Sequence, residues 1–404
     1  MTVASQEEAA LEASPDTLAV KLLESGALSS DWLPAYKANP REGFVPDDIW
    51  PGNAGGNRQG ARVRRSNDPM TWYRVVYSDV PITTQWDDGR YAGPDKGRAP
   101  TSSISMPTMV FTMLDALDLQ HGHKVLEIGT GRGWNTALLS YRVGDKNVTS
   151  IEKDDVLAED ARVRLNCSGF SPDLVVGDGE RGHGTNSPYD RIIATCSVGA
   201  IPSQWIGQAQ PGAVIVAPWG PQYGGEALVR LEIDERGTAS GNFVGSSAFM
   251  RMSGHRKSLT APHKRLNRAE WPGGARLTSS SLSPDDVGDW IHMFAIGIQV
   301  PDLYCKVEFT AKDSYRLWLA DTSTGSWASA DYASGLIEYA VAQDGHRRLW
   351  DELEAAWRWW DNQGRPGFNR FGMTTTGAEN YTIWLDSPDN PVPTQVGAEQ
   401  DARR

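Results

Sequence analysis

Three acidic residues stand where an apolar, β-rich run gives way to small residues. They are Glu127 in Val125-Leu126-Glu127-Ile128, Glu152 after Val148-Thr149-Ser150-Ile151, and Asp178 in Gly177-Asp178-Gly179 after Leu174-Val175-Val176. Ligands of open α/β sheets bind at the carboxyl ends of the strands. Successive strand-end acids therefore set several acceptors on one rim. Any one of them alone reads more simply as a solvated loop acid, and it is their common register that points to a site. Behind the first lies Gly129-Thr130-Gly131-Arg132-Gly133, a turn opening a helix, where glycine lets the backbone approach a ligand closely. The chemistry that fits is nucleoside binding, with Glu152, about twenty residues beyond the glycines, accepting from both ribose hydroxyls.

The glycine spacing selects among nucleoside cofactors. A dinucleotide turn needs G-x-G-x-x-G, and the place of its third glycine is Trp134. An indole there is expected to block the close pyrophosphate approach. The form G-x-G-x-G, with Glu127 two residues before the first glycine, is similar to the class I S-adenosylmethionine-dependent methyltransferases.

The elements that must position these residues alternate along the chain. Strands are expected at 124–128, 147–151, 173–176, 190–194 and 213–217, with helices near 134–143, 155–166 and 202–209. Such alternation gives an α/β fold, a mostly parallel sheet covered on both faces. Strands at 227–233 and 248–252 are expected to extend it. Upstream, Asp16 is expected to cap a helix through Glu24, and Asp31 to start another near Trp32. Residues 51–70 read as a long loop, 72–77 as a strand and 83–101 as a second loop. Pro107 opens a helix reaching Leu117.

At 404 residues two domains are expected. Residues 1–15 read as a disordered tail, 16–252 as the catalytic domain and 253–275 as a basic linker with Arg256, Lys257, Lys264, Arg265 and Arg268. Residues 276–404 read as a small, Trp-rich α+β domain for substrate recognition. Its strands are expected at 304–310, 315–319 and 382–385, and an amphipathic helix at 347–360. No apolar run is long enough for a membrane span, and the acidic start lacks the features of a signal peptide. Cys167, Cys196 and Cys305 are odd in number and unpaired by motif, the pattern of reduced cytoplasmic thiols with no metal site. A net charge of −12 argues against nucleic acid as a partner.

Several segments, in order, resemble the protein-L-isoaspartate O-methyltransferases: Arg41-Glu42-Gly43-Phe44-Val45-Pro46, Tyr77-Ser78-Asp79-Val80-Pro81, Ser103-Ile104-Ser105-Met106-Pro107, the glycine turn, Gly177-Asp178-Gly179, 189–195 and 211–218. The likeness covers about residues 16–252 and implies a class I Rossmann-like fold using S-adenosyl-L-methionine. It further implies that Ser103, Ile104 and Ser105 lie beside the methyl donor, with Ser105 hydrogen-bonding the substrate carboxylate. Ser105 also reads as a plain helix cap before Pro107. By the same resemblance Gly129, Thr130, Gly131 and Gly133 surround the methionine part, with Glu127 near its amino group. Glu152 then holds the ribose, and Asp178 with Gly179 the adenine.

The long segments at 51–70 and 83–101 and the Trp-rich C-terminal region depart from the repair enzymes. They resemble actinobacterial variants associated with ribosomally made peptides (lanthipeptides, graspetides or lasso peptides). There the enzyme methylates an aspartate of a modified precursor peptide, and the ester collapses to aspartimide. Repair of isoaspartate in damaged proteins is the alternative, and a non-catalytic peptide-binding protein is a third reading. Other candidates have blander readings beside the functional one. Arg62, Arg64 and Arg65 suit an acidic peptide or a solvated loop. Trp350, Trp357, Trp359 and Trp360 suit peptide anchors or a helix core. His121, His123 and His183 read as surface residues.

Overall fold

The computed structural model describes residues 13–53, 59–91, 93, 95–256, 272, 274–321, 323–378 and 380–396. Most of the tail expected at 1–15 and most of the linker expected at 253–275 lie outside the described residues; Ala13, Ser14 and Pro15, expected in that tail, instead lead into and open the first helix.

The N-terminal layer combines short helices with a small antiparallel sheet. Helix α1 (Pro15–Glu24) begins with a capping box in which Ser14, not Asp16, accepts from Thr17 N at 3.1 Å. Helix α2 (Leu33–Ala38) follows, then β1 (Asp48–Pro51) and β2 (Val63–Arg64). The strand expected at 72–77 is instead helix α3 (Pro69–Val76). Its aromatic and β-branched residues mimic a strand, but Asp68 caps Thr71 N at 2.9 Å and Pro69 fixes the first turn. The loop expected at 83–101 is largely a hairpin of β3 (Ile82–Trp86) and β4 (Pro100–Ile104). These strands order as β2-β1-β3-β4, and β4 leads into helix α4 (Pro107–Ala116).

The alternating segment follows the expected pattern closely. It runs β5 (Val125–Ile128), α5 (Trp134–Val143), β6 (Val148–Glu152), α6 (Asp155–Cys167), β7 (Asp173–Val176), β8 (Tyr189–Ala194), α7 (Ser203–Gln208) and β9 (Ala209–Trp219). Strands β10 (Ala227–Ile233) and β11 (Ala239–Ser246) come next. The strand expected at 248–252 does not form, and Arg251 makes only an isolated bridge to Ser197.

Beyond residue 275 come β12 (Arg276–Ser280), α8 (Pro284–Gly288), α9 (Trp290–Gly297), β13 (Leu303–Ala311), β14 (Ser314–Asp321), β15 (Trp327–Ala333), β16 (Tyr339–Asp344) and α10 (Leu349–Asn362). The expected α+β unit is a five-stranded antiparallel sheet, β12-β16-β15-β14-β13, with Trp350 and Leu353 of α10 packed on Leu317, Leu319 and Val341. The last strands, β17 (Phe371–Gly377) and β18 (Asn380–Leu385), leave that unit and pair onto β11.

The central sheet is therefore nine-stranded, β18-β17-β11-β10-β9-β8-β5-β6-β7. Its β9-β8-β5-β6-β7 half is parallel and the remainder antiparallel. Side chains alternate between two apolar layers, as strands covered on both faces require. Val125, Val214 and Val216 join one layer with Phe111 and Trp134. Leu126, Ile128 and Ile215 join the other with Trp205, Phe294 and Phe371. Strand order reverses between β5 and β8, and the crevice outside such a switch point is where this architecture binds ligands.

Candidate active site

A cleft of about 510 Å³ opens at the carboxyl ends of β5 to β8. Its size lies within the roughly 300–1,000 Å³ of small-molecule sites. Its floor holds 128–135, 151–154 and Asp178-Gly179, one wall holds 101–105, and the rim holds Asp88, Arg90, 249–253 and Arg256.

The floor is shaped by the glycine turn. Gly129 has φ +97°, and a Cβ there would meet Thr195 Oγ1 at 2.7 Å, so both backbone and space demand glycine. Gly133, at φ +89°, is the residue that opens α5. Glu152 Oε2 accepts from Gly131 N at 2.9 Å, while Oε1 accepts from Lys153 N at 2.8 Å and Asp154 N at 3.1 Å. Burial pushes its carboxyl above the ordinary value, although those backbone donors pull the other way. Asp178 Oδ1 accepts from Glu180 N at 3.2 Å, and Lys153 Nζ stands 3.8 Å from Oδ2. Gly179 leaves no room for a side chain, since a Cβ would lie 2.5 Å from Ile128. This cradle fits a nucleoside cofactor: glycine backbone beside an acid on one side, and a second acid farther along the same floor.

Glu127 is placed differently from the sequence expectation. It is fully buried and does not line the cleft. Its carboxylate accepts from Asn135 Nδ2 at 2.7 Å, Thr136 Oγ1 at 2.5 Å and Ser150 Oγ at 2.6 Å. Burial raises its pKa above the ordinary range against those three donors. The Thr130 hydroxyl lies 2.6 Å from Ser150 Oγ in the same buried network, so Thr130 does line the cleft while its hydroxyl is occupied. Glu127 thus fixes β5, β6 and the start of α5 relative to one another instead of contacting a ligand amine. Trp134 differs in a similar way. Its indole donates to Asn39 O at 3.1 Å in the core, so a residue of the cleft floor also anchors the N-terminal layer.

On the wall, Ser103, Ile104 and Ser105 all line the cleft at the end of β4. Ser105 is not a helix cap. Helix α4 has Met106 at that position without a side-chain bond, and its first turn is held by Asp79, which accepts from Thr108 N at 2.8 Å and Thr108 Oγ1 at 2.6 Å. The hydroxyls of Ser103 and Ser105 donate to no side chain or carbonyl among the described residues. The segment itself is clamped by Arg41, a buried guanidinium whose role the sequence did not reveal. Arg41 donates to the carbonyls of Val76 (2.9 Å), Ser78 (3.2 Å), Val80 (3.0 Å) and Ser105 (2.8 Å). Burial lowers its pKa to about 10, with the Asp79 charge opposing. Arg41 and Asp79 lie in the quoted segments, but nothing local to either signals a clamp on residue 105.

The weaker candidates stay apart from the site. Trp350 and Trp360 are core residues, and none of the four helix tryptophans lines the cleft. Arg62 and Arg64 both bind Asp48, and Arg65 stacks on Trp72 with its guanidinium 4.6 Å from the ring centre. His123 Nδ1 accepts from Gln120 N at 3.2 Å in a local turn. The rim residues Gln85, Asp88 and Arg256 carried no motif and are seen only in three dimensions.

Comparison with known proteins agrees with this geometry. Residues 64–257 match the model of the protein-L-isoaspartate(D-aspartate) O-methyltransferase family. The chain is 38% identical over 188 residues to protein-L-isoaspartate O-methyltransferase 2 of Archaeoglobus fulgidus, covering 46% of this chain and 78% of that one. It is 39% identical over 132 residues to the protein-L-isoaspartate O-methyltransferase of Bradyrhizobium sp., covering 32% of this chain and 60% of that one. A solved structure titled protein-L-isoaspartate O-methyltransferase shares the fold with a TM-score of 0.51 at 19% identity, over 93% of this chain and all of its own. A match of that extent includes part of the region after residue 276. A C-terminal extension therefore does not by itself set this chain apart from solved structures so titled.

Proposed function

The chain belongs to the protein-L-isoaspartate O-methyltransferase family, and we propose that it methylates an aspartyl or isoaspartyl side-chain carboxylate of a peptide. Its fold is the class I methyltransferase fold and its cofactor is S-adenosyl-L-methionine. The observation carrying the proposal is the two-sided cleft, with glycine backbone, Glu152 and Asp178 on one side and, on the other, the hydroxyls of Ser103 and Ser105, which have no partner among the described residues.

When bound, the cofactor supplies a sulfonium methyl group open to displacement by a carboxylate oxygen. Glu152 is assigned to the ribose hydroxyls, Asp178 and Gly179 to the base, and the backbone of 129–133 to the amino-acid part. Ser105 Oγ–H donates to the substrate carboxylate and, with Ser103, directs one oxygen toward the methyl. A carboxylate is already ionised at neutral pH, so no strong base is required. Alignment of the reacting atoms can supply roughly 7–11 kcal/mol of the barrier reduction. Arg41 and Asp79 act by holding the serine segment.

For the substrate, we propose an aspartate of a ribosomally made, modified precursor peptide. Its methyl ester loses methanol to the neighbouring backbone amide, leaving an aspartimide that water can open to isoaspartate. This reading draws support from the 82–104 hairpin, which adds a rim beyond the serine segment. Recognition by the region after 276 belongs to the same proposal, without the four helix tryptophans as its means. Free Cys167, Cys196 and Cys305 accord with a reducing, cytoplasmic setting. Repair of isoaspartate is the second reading, favoured by the names of the relatives. Labelled cofactor supplied with an isoaspartyl peptide, and separately with the cyclised precursor encoded beside the gene, divides them. The expected result is labelling of the precursor and then a net loss of one water from it. Efficient turnover of the simple isoaspartyl peptide would overturn the specialised substrate.

A further inference from the structure

Among the described residues the cleft lining holds five cations, and all but one stand against a carboxylate. Arg132 meets Asp160 at 2.7 Å and Lys153 meets Asp178 at 3.8 Å, while Arg90 and Arg256 lie 3.5 and 3.0 Å from Asp88. Arg251 has no carboxylate within 4.0 Å. Its partners are carbonyls: Nη1 and Nη2 both donate to Gly220 O at 3.1 Å, and Nη2 also to Pro221 O at 3.4 Å. A guanidinium carries five N–H groups. These three bonds leave the Nε–H and one Nη1–H without an acceptor among the described residues. The acids of the floor that lack a cation do not compete for them. Glu152 is bonded to backbone N–H groups, and Asp154 to Val156 N, Leu157 N and Gln85 Nε2.

The fold gives this side chain a fixed place. Arg251 forms a parallel bridge with Ser197, where Ser197 N bonds to Met250 O at 3.0 Å and Met252 N to Ser197 O at 2.8 Å. Ser197 follows Thr195 and Cys196, which line the cleft just beyond the end of β8, at the switch point of the sheet. A Cβ at Gly199 would lie 3.0 Å from Arg251 Nη1, so glycine there leaves the room that the guanidinium occupies. Burial lowers the Arg251 pKa from its ordinary value, and the charge of buried Glu226 opposes that from beyond ion-pair distance. Glu226 Oε1 is itself spent on Phe249 N at 2.8 Å and Ser247 Oγ at 3.2 Å. A desolvated guanidinium in a cleft, without an acid in contact, is completed by an anionic ligand.

We propose, resting on the reading that this cleft accepts a peptide carboxylate, that Arg251 receives the very carboxylate that is methylated. Its remaining N–H groups hold one oxygen, and the serine segment directs the other at the methyl. That oxygen forms the bond to the methyl carbon as the carbon–sulfur bond breaks, with the electron pair left on sulfur and no proton moved. An anion and a sulfonium thereby become a neutral ester and a neutral thioether, so Arg251 loses its partner once the methyl has moved. It selects an acid over the isosteric amide and lets the ester go. Because the carboxylate charge already fades in the transition state, Arg251 contributes to substrate binding more than to the chemical step. The amino-acid carboxylate of the cofactor is the other anion of the same cleft, and the test separates the two.

The test is affinity, read by fluorescence anisotropy on the full chain saturated with S-adenosyl-L-homocysteine. The probe is one labelled peptide in isoaspartyl, aspartyl and asparaginyl forms. The wild-type chain should bind an acid form about tenfold tighter than the asparaginyl form, the worth of a charge-assisted contact. Arg251→Gln should erase that preference by weakening the acid forms alone, and Arg251→Lys should keep part of it. In turnover the loss should appear in KM more than in kcat. Equal weakening of all three forms by Arg251→Gln would make the residue a brace for 220–221 and overturn the proposal, as would a preference that survives the substitution. Weaker binding of S-adenosyl-L-homocysteine by Arg251→Gln would assign the guanidinium to the cofactor's carboxylate and overturn it too. Methyl transfer is scored separately on the wild-type chain. Transfer together with a preference that Arg251→Gln leaves intact sinks this inference alone, whereas no transfer to any peptide, the precursor included, sinks the assigned reaction.

Discussion

The donor floor and the acceptor wall of the cleft satisfy their polar groups in opposite ways. On the donor side, Glu152 in the floor and Glu127, buried outside the cleft lining, spend their oxygens on donors of the protein itself: three side chains for Glu127 and three backbone N–H groups for Glu152. On the wall, the hydroxyls of Ser103 and Ser105 have no partner among the described residues, and the holding is delegated to Arg41 and Asp79 behind them. A cofactor common to many reactions is met by a rigid, internally satisfied cradle. On the proposed function, a variable substrate is met by groups left unpaired and positioned from outside. Buried polar networks rigidify when complete, and free donors are what a ligand can still use.

The contrast can be broken most forcefully at Glu127. Glu127→Ala leaves three buried donors without an acceptor and should cost about 3 kcal/mol or more, read by urea unfolding, with cofactor binding weakened through the displaced turn. Its pH signature has a definite sign. A carboxyl whose folded pKa is raised contributes stability that is full below the ordinary carboxylate value and lost as pH rises through the raised one. Glu127→Gln should remove that loss, so the stability gap between wild type and variant should shrink from mildly acidic toward neutral pH or change sign. A gap that widens instead would mean that Glu127 is stabilised in its charged form.

Ser105→Ala comes next. It should lower kcat about 10–100-fold, the worth of one hydrogen bond to a charged group, with the Kd for S-adenosyl-L-homocysteine unchanged. Equal losses in cofactor affinity would erase the division between floor and wall. The smallest effect sharpens the floor itself. Asp178→Ala should weaken the cofactor about tenfold at unchanged unfolding midpoint, because among the described residues only Glu180 N and Lys153 depend on it. Glu152→Ala should weaken the cofactor and lower stability together, since Gly131, Lys153 and Asp154 lose their acceptor. Calorimetry paired with urea unfolding distinguishes the two acids.

The central parallel strands β5, β6 and β8 were legible because burial on both faces forces apolar runs, each ending at a small residue or an acid. Strand β11 was not, since Ala239–Ser246 carries polar residues and glycines and is held mainly by its neighbours' backbones. The apolar stretch at 248–252 suggested a strand, yet its backbone is spent on Ser197, with Ser197 N bonded to Met250 O and Met252 N to Ser197 O. That detour brings Arg251 and Arg256 to the rim. The return of 371–385 to the central sheet was equally hidden, because pairing with β11 spans more than a hundred residues and leaves no local mark.

By itself the sequence determined the glycine turn, the acids at three strand ends and the serine segment before Pro107. Each is a local matter of backbone freedom or of a few residues at fixed spacing. Only the tertiary structure decided which of those acids lines the cleft. Glu152 and Asp178 reach the cleft, but Glu127 meets Thr136 and Ser150 inside the protein. A strand end fixes where a side chain starts. Where it points depends on the pleat and on the donors that distant segments bring to meet it.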